Sequence, residues 1–69
     1  MATIGDRIVT LLKNENLTQK ELAQMAGITE SALSRYINGE RMPKMEIIAN
    51  LATALNTTSD YLIFGNRQG

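Results

Sequence analysis

Apolar residues recur at the spacing of amphipathic helices along most of the chain. In the first segment they stand at i, i+4, i+7 and i+8, which places them on one face of a helix and leaves polar residues such as Arg7 for the other face. The residues that we expect in the core are Ile4, Ile8, Leu11 and Leu12 in the first helix and Met45, Ile48, Leu51, Ala52 and Leu55 in the fourth. This pattern predicts an all-α fold.

Capping residues set the bounds of the second and third helices. Thr18 stands before Glu21 at the spacing of a capping box, and Gly27 accepts the left-handed conformation that ends a helix. Thr29 caps the third helix almost at once, and the Asn-Gly pair at 38–39 should end it. We therefore expect two short helices joined by a tight turn.

Similar signals bound the other three helices. The first should end within the Asn-Glu-Asn run at 14–16. Pro43 stands near the first position of the fourth helix, where its missing amide costs little, and Asn56 should end that helix in a left-handed conformation. Thr58 caps a last helix over residues 59–64, and residues 66–69 should form a flexible, frayed tail.

Length and composition limit the function classes. Sixty-nine residues can bury only one small core, so we expect a single domain over residues 1–69. The chain has no Cys and no His, and its acidic residues are distributed singly. We therefore expect no metal site and no cofactor, and a protein that is not an enzyme. No segment resembles a signal peptide or an apolar span of about twenty residues, which favours a cytoplasmic location.

The charge balance argues mildly against a nucleic-acid ligand. The formal net charge is zero, whereas nucleic-acid-binding domains are usually basic enough to attract phosphates. A net charge can still hide a polarised surface. Between residues 18 and 44, four cations stand against three acids: Lys20, Arg35, Arg41 and Lys44 against Glu21, Glu30 and Glu40.

The second and third helices form a helix-turn-helix pattern over residues 18–37. Ala23 is small where the two helices must approach closely, Gly27 makes the turn, and Ile28 and Leu33 are available for the core. The outward face of the third helix is polar and carries mostly short side chains. Two short helices in this arrangement allow the second one to enter the major groove of DNA.

Six sequence blocks recur in the order and spacing of a known family. They are L-T-Q-x-E-L-A at 17–23, A-G-I-T at 26–29, S-x-L-S-R-Y at 31–36, N-G-E-R-x-P at 38–43, L-A-x-A-L-N at 51–56 and D-Y-L-I-F-G at 60–65. In these blocks the chain resembles the phage repressor and Cro-like helix-turn-helix family, also called the xenobiotic-response-element family of bacterial transcriptional regulators. The resemblance implies a five-helix, lambda-repressor-like DNA-binding domain. It further implies sequence-specific binding to double-stranded DNA by a regulator, a repressor of phage, prophage or mobile-element type, with residues 29–37 as the recognition helix.

The resemblance also implies which residues contact DNA. The side chains that would face bases or the backbone beside them are Thr29, Glu30, Ser31, Ser34 and Arg35. Those that would contact phosphates are Thr18, Gln19, Lys20, Asn38, Arg41 and Lys44. Their chemistry agrees, because Arg35 could donate two hydrogen bonds to a guanine and Glu30 could accept one from a cytosine amino group. Arg41 and Lys44 would fix the register without reading sequence.

Each of these side chains also has a simpler interpretation. Arg35 alone would more often be a solvated charge beside Glu30, and a carboxylate at Glu30 stabilises the helix dipole whether or not DNA is present. Gln19 could be an ordinary first-turn residue instead of part of a phosphate clamp. Tyr36 lies on the apolar stripe, so we expect it in the core with its hydroxyl at the surface.

Three positions depart from the usual pattern of the family. Lys44 stands where members commonly cap the fourth helix with Ser, Thr or Asp, which leaves its ammonium for phosphate. Ile37 and Leu12 replace a buried ion pair by an apolar contact. Thr57 stands where an apolar residue often staples the fifth helix, so we expect that helix to be held less firmly.

The last helix suggests a second copy of the chain. Tyr61, Leu62 and Phe64 give it more apolar surface than a small domain readily hides, so we interpret them as a homodimer interface on a palindromic operator. The alternative is that these residues close the core. A second function also stays open, because the neutral charge fits a protein-interaction module, such as an antitoxin or adaptor, that keeps the fold with weak or no DNA binding.

Overall fold

The computed structural model describes residues 2–65, and these form five α-helices. The helices are α1 Ile4–Asn14, α2 Gln19–Ala26, α3 Glu30–Ile37, α4 Met45–Ala54 and α5 Ser59–Phe64. The predicted all-α fold is confirmed. The tail expected at residues 66–69 lies outside the described part of the chain. Within residues 2–65, no helix has both the length and the hydropathy that crossing a membrane requires.

Threonine side chains begin four of the helices. The hydroxyl oxygens of Thr3, Thr18, Thr29 and Thr58 each accept a hydrogen bond from the backbone N–H three residues later, at distances of 3.0 to 3.1 Å. The caps at Thr18, Thr29 and Thr58 confirm the prediction. Thr3 forms a further capping box with Asp6, which was not predicted from the sequence. Each such cap stabilises its helix by about 1 kcal/mol. Because the two capping partners are only three residues apart, the starts of these helices are determined by the local sequence.

Four helices end in the same left-handed turn. Asn16, Gly27, Gly39 and Asn56 have positive φ angles of 56°, 75°, 77° and 59°. The residue after each of them donates its backbone N–H to the carbonyl five residues earlier, at 2.9 to 3.0 Å. This Schellman geometry gives partners to carbonyls that the helix itself leaves without one. The predicted stops at Gly27 and Asn56 are confirmed.

The core is apolar and draws on every helix. The fully buried side chains are Ile8, Leu22, Leu33, Ile48, Leu51, Leu55 and Leu62. Tyr36 is buried at 9% exposure, as expected, and Leu12 and Ile37 both pack against the core. The prediction for Met45 is wrong, because its side chain is 62% exposed. Met45 is the first residue of α4 and lies outside the core, whereas Pro43 in the preceding loop is buried.

The helices pack against one another in a closed ring. α1 contacts α3 and α5, α2 contacts α3 and α4, and α4 contacts α5. α1 thus packs against both α3 and α5. A shift of α1 would therefore change its packing against α3 and against α5.

The first turn of α1 approaches the end of α3 very closely. Gly5 is buried, and a Cβ added there would overlap the backbone carbonyl oxygen of Ile37. Only glycine, which lacks a Cβ, allows the two backbones to lie so near each other. This contact fixes the C-terminal end of α3 against α1.

Candidate nucleic-acid interface

α3 presents a polar face to solvent and an apolar face to the core. The polar face consists of Thr29, Glu30, Ser31, Ser34 and Arg35, of which Ser34 is half-buried and the others are exposed. On the opposite face, Leu33 is 0% exposed. Residues 30, 31, 34 and 35 stand at i, i+1, i+4 and i+5, which is one side of a helix. The structure therefore brings together all the side chains that the sequence assigned to base contact.

A tight turn fixes α3 relative to α2. The N–H of Ile28 donates to the carbonyl of Ala23 at 3.0 Å, and the side chain of Ile28 is half-buried against the core. Thr29 then caps α3 by accepting from the N–H of Ala32 at 3.0 Å. These contacts use backbone groups, the partly buried side chain of Ile28 and the exposed hydroxyl of Thr29, so they anchor α3 without involving the other side chains of its polar face.

The residues at the start of α2, the first helix of the helix-turn-helix motif, are also exposed. Thr18, Gln19 and Lys20 are all exposed. Both the N–H and the hydroxyl of Thr18 donate to Oε1 of Glu21, at 2.9 and 3.1 Å. The capping box thus occupies the donors of Thr18, whereas the N–H groups of Gln19 and Lys20 belong to the first turn, which has no intrahelical acceptor. Gln19 and Lys20 are the stronger candidates for contact with phosphate.

The segment after α3 supplies the other predicted phosphate contacts. Asn38, Arg41 and Lys44 are exposed. Lys44 is the N-cap residue of α4, and its side chain makes no capping hydrogen bond. The departure predicted at Lys44 is therefore confirmed as far as the cap is concerned, and the ammonium is not engaged at the end of the helix.

The residues assigned to a dimer interface differ in exposure. Phe64 is 67% exposed and Tyr61 is half-buried. Leu62 is 0% exposed, so its assignment to an interface is wrong. Because α5 packs against both α1 and α4, Leu62 enters the core between them, as the alternative interpretation expected. Tyr61 and Phe64 remain as the exposed or partly exposed aromatic residues of this helix.

Arg7 has a structural role that was not predicted from the sequence. Its guanidinium donates to the carbonyls of Leu62 and Ile63 in α5 and to that of Ala2. The partners in α5 are 55 and 56 residues away along the chain. Periodicity in α1 shows only that Arg7 lies off the apolar stripe, so no local signal could have found these contacts.

Comparisons with known proteins agree with the fold and the motif. A family model described as helix-turn-helix matches residues 8–62. The chain is 35% identical over 63 residues to the HTH-type transcriptional regulator AnsR of Bacillus subtilis, which covers 91% of this chain and 54% of that protein. It is 38% identical over 55 residues to the antitoxin PezA of Streptococcus pneumoniae, covering 80% of this chain and 35% of that protein. The chain thus spans about half or less of the length of these relatives.

A solved structure matches over nearly the whole chain. It is the P22 c2 repressor in complex with a synthetic operator, and the match has a TM-score of 0.91 at 30% sequence identity. The match covers 96% of this chain and 100% of the other. With the family model, this likeness confirms the five-helix fold and the resemblance seen in the sequence blocks. The chain therefore belongs to the Cro/C1-type helix-turn-helix family.

Proposed function

We propose that this chain binds double-stranded DNA sequence-specifically as a transcriptional regulator, a repressor of phage or prophage type, with α3 in the major groove. The observation that carries the proposal is the exposed polar face of α3, anchored on its other side by Leu33. The same fold occurs in the P22 c2 repressor, whose structure has been solved in complex with a synthetic operator. This role also supports the expected cytoplasmic location, where a bacterial or phage operator is found.

The exposed side chains of α3 suggest how bases are read. Arg35 is long enough to donate two hydrogen bonds to O6 and N7 of a guanine, and Glu30 can accept from the amino group of a cytosine. Ser31 and Ser34 can donate or accept. The hydroxyl oxygen of Thr29 accepts from the N–H of Ala32, which leaves its proton free to donate to a phosphate or base. We therefore expect guanine and cytosine among the specified positions of each half-site.

Exposed polar groups at both ends of the motif would hold the phosphates. Gln19 and Lys20 lie at the start of α2, and Asn38, Arg41 and Lys44 follow α3. Phosphate contacts of this kind fix the register of a recognition helix and supply most of the non-specific affinity. Their cations also explain how a chain of zero net charge can still bind DNA.

A second copy of the chain is the proposed partner at α5. Phe64 stands three residues after Tyr61, so the two rings lie on one side of the helix. A large aromatic side chain that is 67% exposed is costly in water and is relieved when it packs against another apolar surface. A two-fold dimer would pair this patch with itself and place two recognition helices on a palindromic operator.

The test is selection of bound duplexes from a random-sequence pool, read at low and at physiological salt. We expect enrichment of a palindrome whose half-sites lie about one helical turn apart, roughly 34–36 Å. A duplex with both half-sites scrambled serves as the control for non-specific binding. Absence of enrichment, with only weak binding that salt abolishes, would contradict the proposal.

The second candidate function is protein interaction without strong DNA binding. The similarity to an antitoxin and the zero net charge favour it. On this hypothesis the random pool yields no palindrome, and the exposed side chains of α3 can be replaced by alanine without loss of partner binding. The selection experiment therefore separates the two functions.

A further inference from the structure

The guanidinium of Arg7 lies at the C-terminal end of α5. Its Nε donates to the carbonyl oxygen of Leu62 and its Nη2 to that of Ile63, both at 2.8 Å. Its Nη1 donates to the carbonyl of Ala2 at 2.9 Å. The last carbonyls of a helix have no partner within the helix, and a cation beside them is favoured by the helix dipole. Arg7, which lies far from α5 along the chain, thus gives hydrogen-bond partners to two of the last carbonyls of that helix.

Gly65 leaves room for this contact. Its φ of +74° ends α5 in the left-handed conformation, and its N–H donates to the carbonyl of Tyr61 at 2.8 Å. A Cβ at this position would lie 3.0 Å from Nη1 of Arg7. The chain therefore combines a left-handed stop with an open approach for the guanidinium.

α5 depends on such contacts because it is short. It has 6 residues, and a helix of this length has little stability of its own in water. It contacts the core through the buried Leu62 and the partly buried Tyr61 and Ile63, whereas Phe64 at its end is 67% exposed. The direction in which the end of α5 points is therefore set by the guanidinium of Arg7 more than by packing of Phe64.

The first turn of α1 joins this contact to the recognition helix. Gly5 lies against the backbone of Ile37, the last residue of α3. Arg7, two residues after Gly5 in the same turn of α1, donates hydrogen bonds to the carbonyls of Leu62 and Ile63 in α5. We propose that Arg7 is a positioning residue for operator binding, which fixes the exposed face of α5 relative to α3. This inference rests on the proposed function, because the α5 face matters for DNA only if it joins two copies.

Arginine suits this role better than lysine. The planar guanidinium donates in several fixed directions, and here its three nitrogens reach three carbonyls. A lysine ammonium is a single centre and cannot bridge Ala2, Leu62 and Ile63 in the same way. Lysine at this position would keep the positive charge and lose the arrangement of three hydrogen bonds. Arg7→Lys therefore distinguishes the effect of the charge from the effect of the hydrogen bonds.

The first arm of the test measures hydrogen exchange of backbone amides in the full chain by NMR. In Arg7→Met, the amides of Leu62 and Gly65 should exchange about tenfold faster or more, because bonds from a charged donor are lost, while the amide of Leu33 keeps its wild-type protection. Arg7→Lys should resemble Arg7→Met. Lys13→Met removes an exposed charge from the same helix and should change neither region.

The exchange data decide the role of Arg7 at α5 whether or not DNA is bound. Wild-type exchange in α5 of Arg7→Met would overturn the proposal. Faster exchange by one common factor in α3 and α5 would also overturn it, because that result indicates general destabilisation rather than loss of a local clamp.

The second arm compares affinity for a duplex selected by the wild-type protein with affinity for one isolated half-site. Arg7→Met should lose about tenfold or more of the gain that the second half-site provides, with affinity for the single half-site unchanged. An equal loss on both duplexes would overturn the coupling between α5 and α3. Independent binding of the two half-sites by the wild-type protein would refute the dimer in the proposed function and this coupling with it, but would leave the exchange result for α5 intact.

Discussion

Replacement of Gly5 by alanine tests whether the close contact between α1 and α3 holds the fold together. In the absence of tertiary contacts, Gly5→Ala should stabilise the protein, because alanine is favoured over glycine within a helix by roughly 0.5–1 kcal/mol. The structure predicts the opposite sign. A Cβ at Gly5 would overlap the carbonyl oxygen of Ile37 and would lie 2.8 Å from its carbonyl carbon and 3.0 Å from its Cα.

The size of the destabilisation depends on which atoms the new Cβ would contact. All three belong to the backbone of Ile37, so no side-chain rotation can relieve the overlap, and α1 must move away from α3. Ordinary carbon–oxygen contacts lie near 3.3 Å or beyond, so the required shift affects the packing of the whole first turn. Overpacking of this kind costs about 1–3 kcal/mol, which outweighs the propensity gain. For a chain of 69 residues with a free energy of unfolding of about 3–10 kcal/mol, this is a large fraction.

Urea unfolding followed by circular dichroism measures the change. A matched control is Ala49→Gly, which reverses the substitution at an exposed position in the middle of α4 and should cost about 1 kcal/mol through propensity alone. Gly5→Ala and Ala49→Gly should therefore both destabilise the protein, although one replaces glycine by alanine and the other replaces alanine by glycine. If Gly5→Ala raises the free energy of unfolding, the reasoning about the contact with Ile37 is refuted.

Four further predictions concern the candidate DNA interface and α5. Arg35→Ala should weaken specific binding by about 1–3 kcal/mol and relax preference at one base position, and an unchanged preference in a duplex selection would remove Arg35 from the reading set. Arg41→Ala should weaken binding to all sequences alike and reduce the salt slope by about one, measured by titration at several salt concentrations; a change in sequence preference would contradict this. Leu62→Ala should lower the free energy of unfolding by about 2–5 kcal/mol in urea, because its side chain is fully buried. Phe64→Ala should change the free energy of unfolding by less than about 0.5 kcal/mol and weaken self-association in sedimentation equilibrium. A larger loss of stability in Phe64→Ala than in Leu62→Ala would contradict the assignment of Leu62 to the core and Phe64 to the surface.

The starts and ends of the helices could be predicted from sequence because their causes are local. A capping threonine acts on an N–H three residues later, and a left-handed Gly27 or Asn56 acts within one turn. The outward face of α3 was also predictable, since the same periodicity that buries Leu33 exposes Glu30 and Ser31. The exposed face of α3 could therefore be predicted from local patterns, whereas the roles of its residues in DNA contact were implied by the family resemblance.

The errors lie where a position depends on what packs against it. Periodicity places Met45 on the same stripe as Ile48, yet Met45 is the first residue of α4 and lies outside the core. Leu62 and Phe64 are both apolar residues in a helix of 6 residues, too short for a periodic pattern to distinguish the inward side chain from the outward one. Gly5 and Arg7 act on Ile37 and on the end of α5, and no local rule links such distant segments.

Except at Thr29, the groups that anchor α3 are not the side chains that we propose read bases, and this has a consequence for how such a domain changes its operator. α3 is held by Leu33, by the cap at Thr29 and by the backbone contact between Ile37 and Gly5. Glu30 and Arg35 are exposed and do not contribute to any of these anchors. Surface substitutions away from caps and cores usually alter stability by less than about 0.5 kcal/mol, whereas one lost bidentate base contact changes discrimination by about 1–3 kcal/mol. If Glu30 and Arg35 read bases as we propose, substitutions at these two positions will change sequence preference at little cost to the fold, whereas the first turn of α1 is constrained by both α3 and α5.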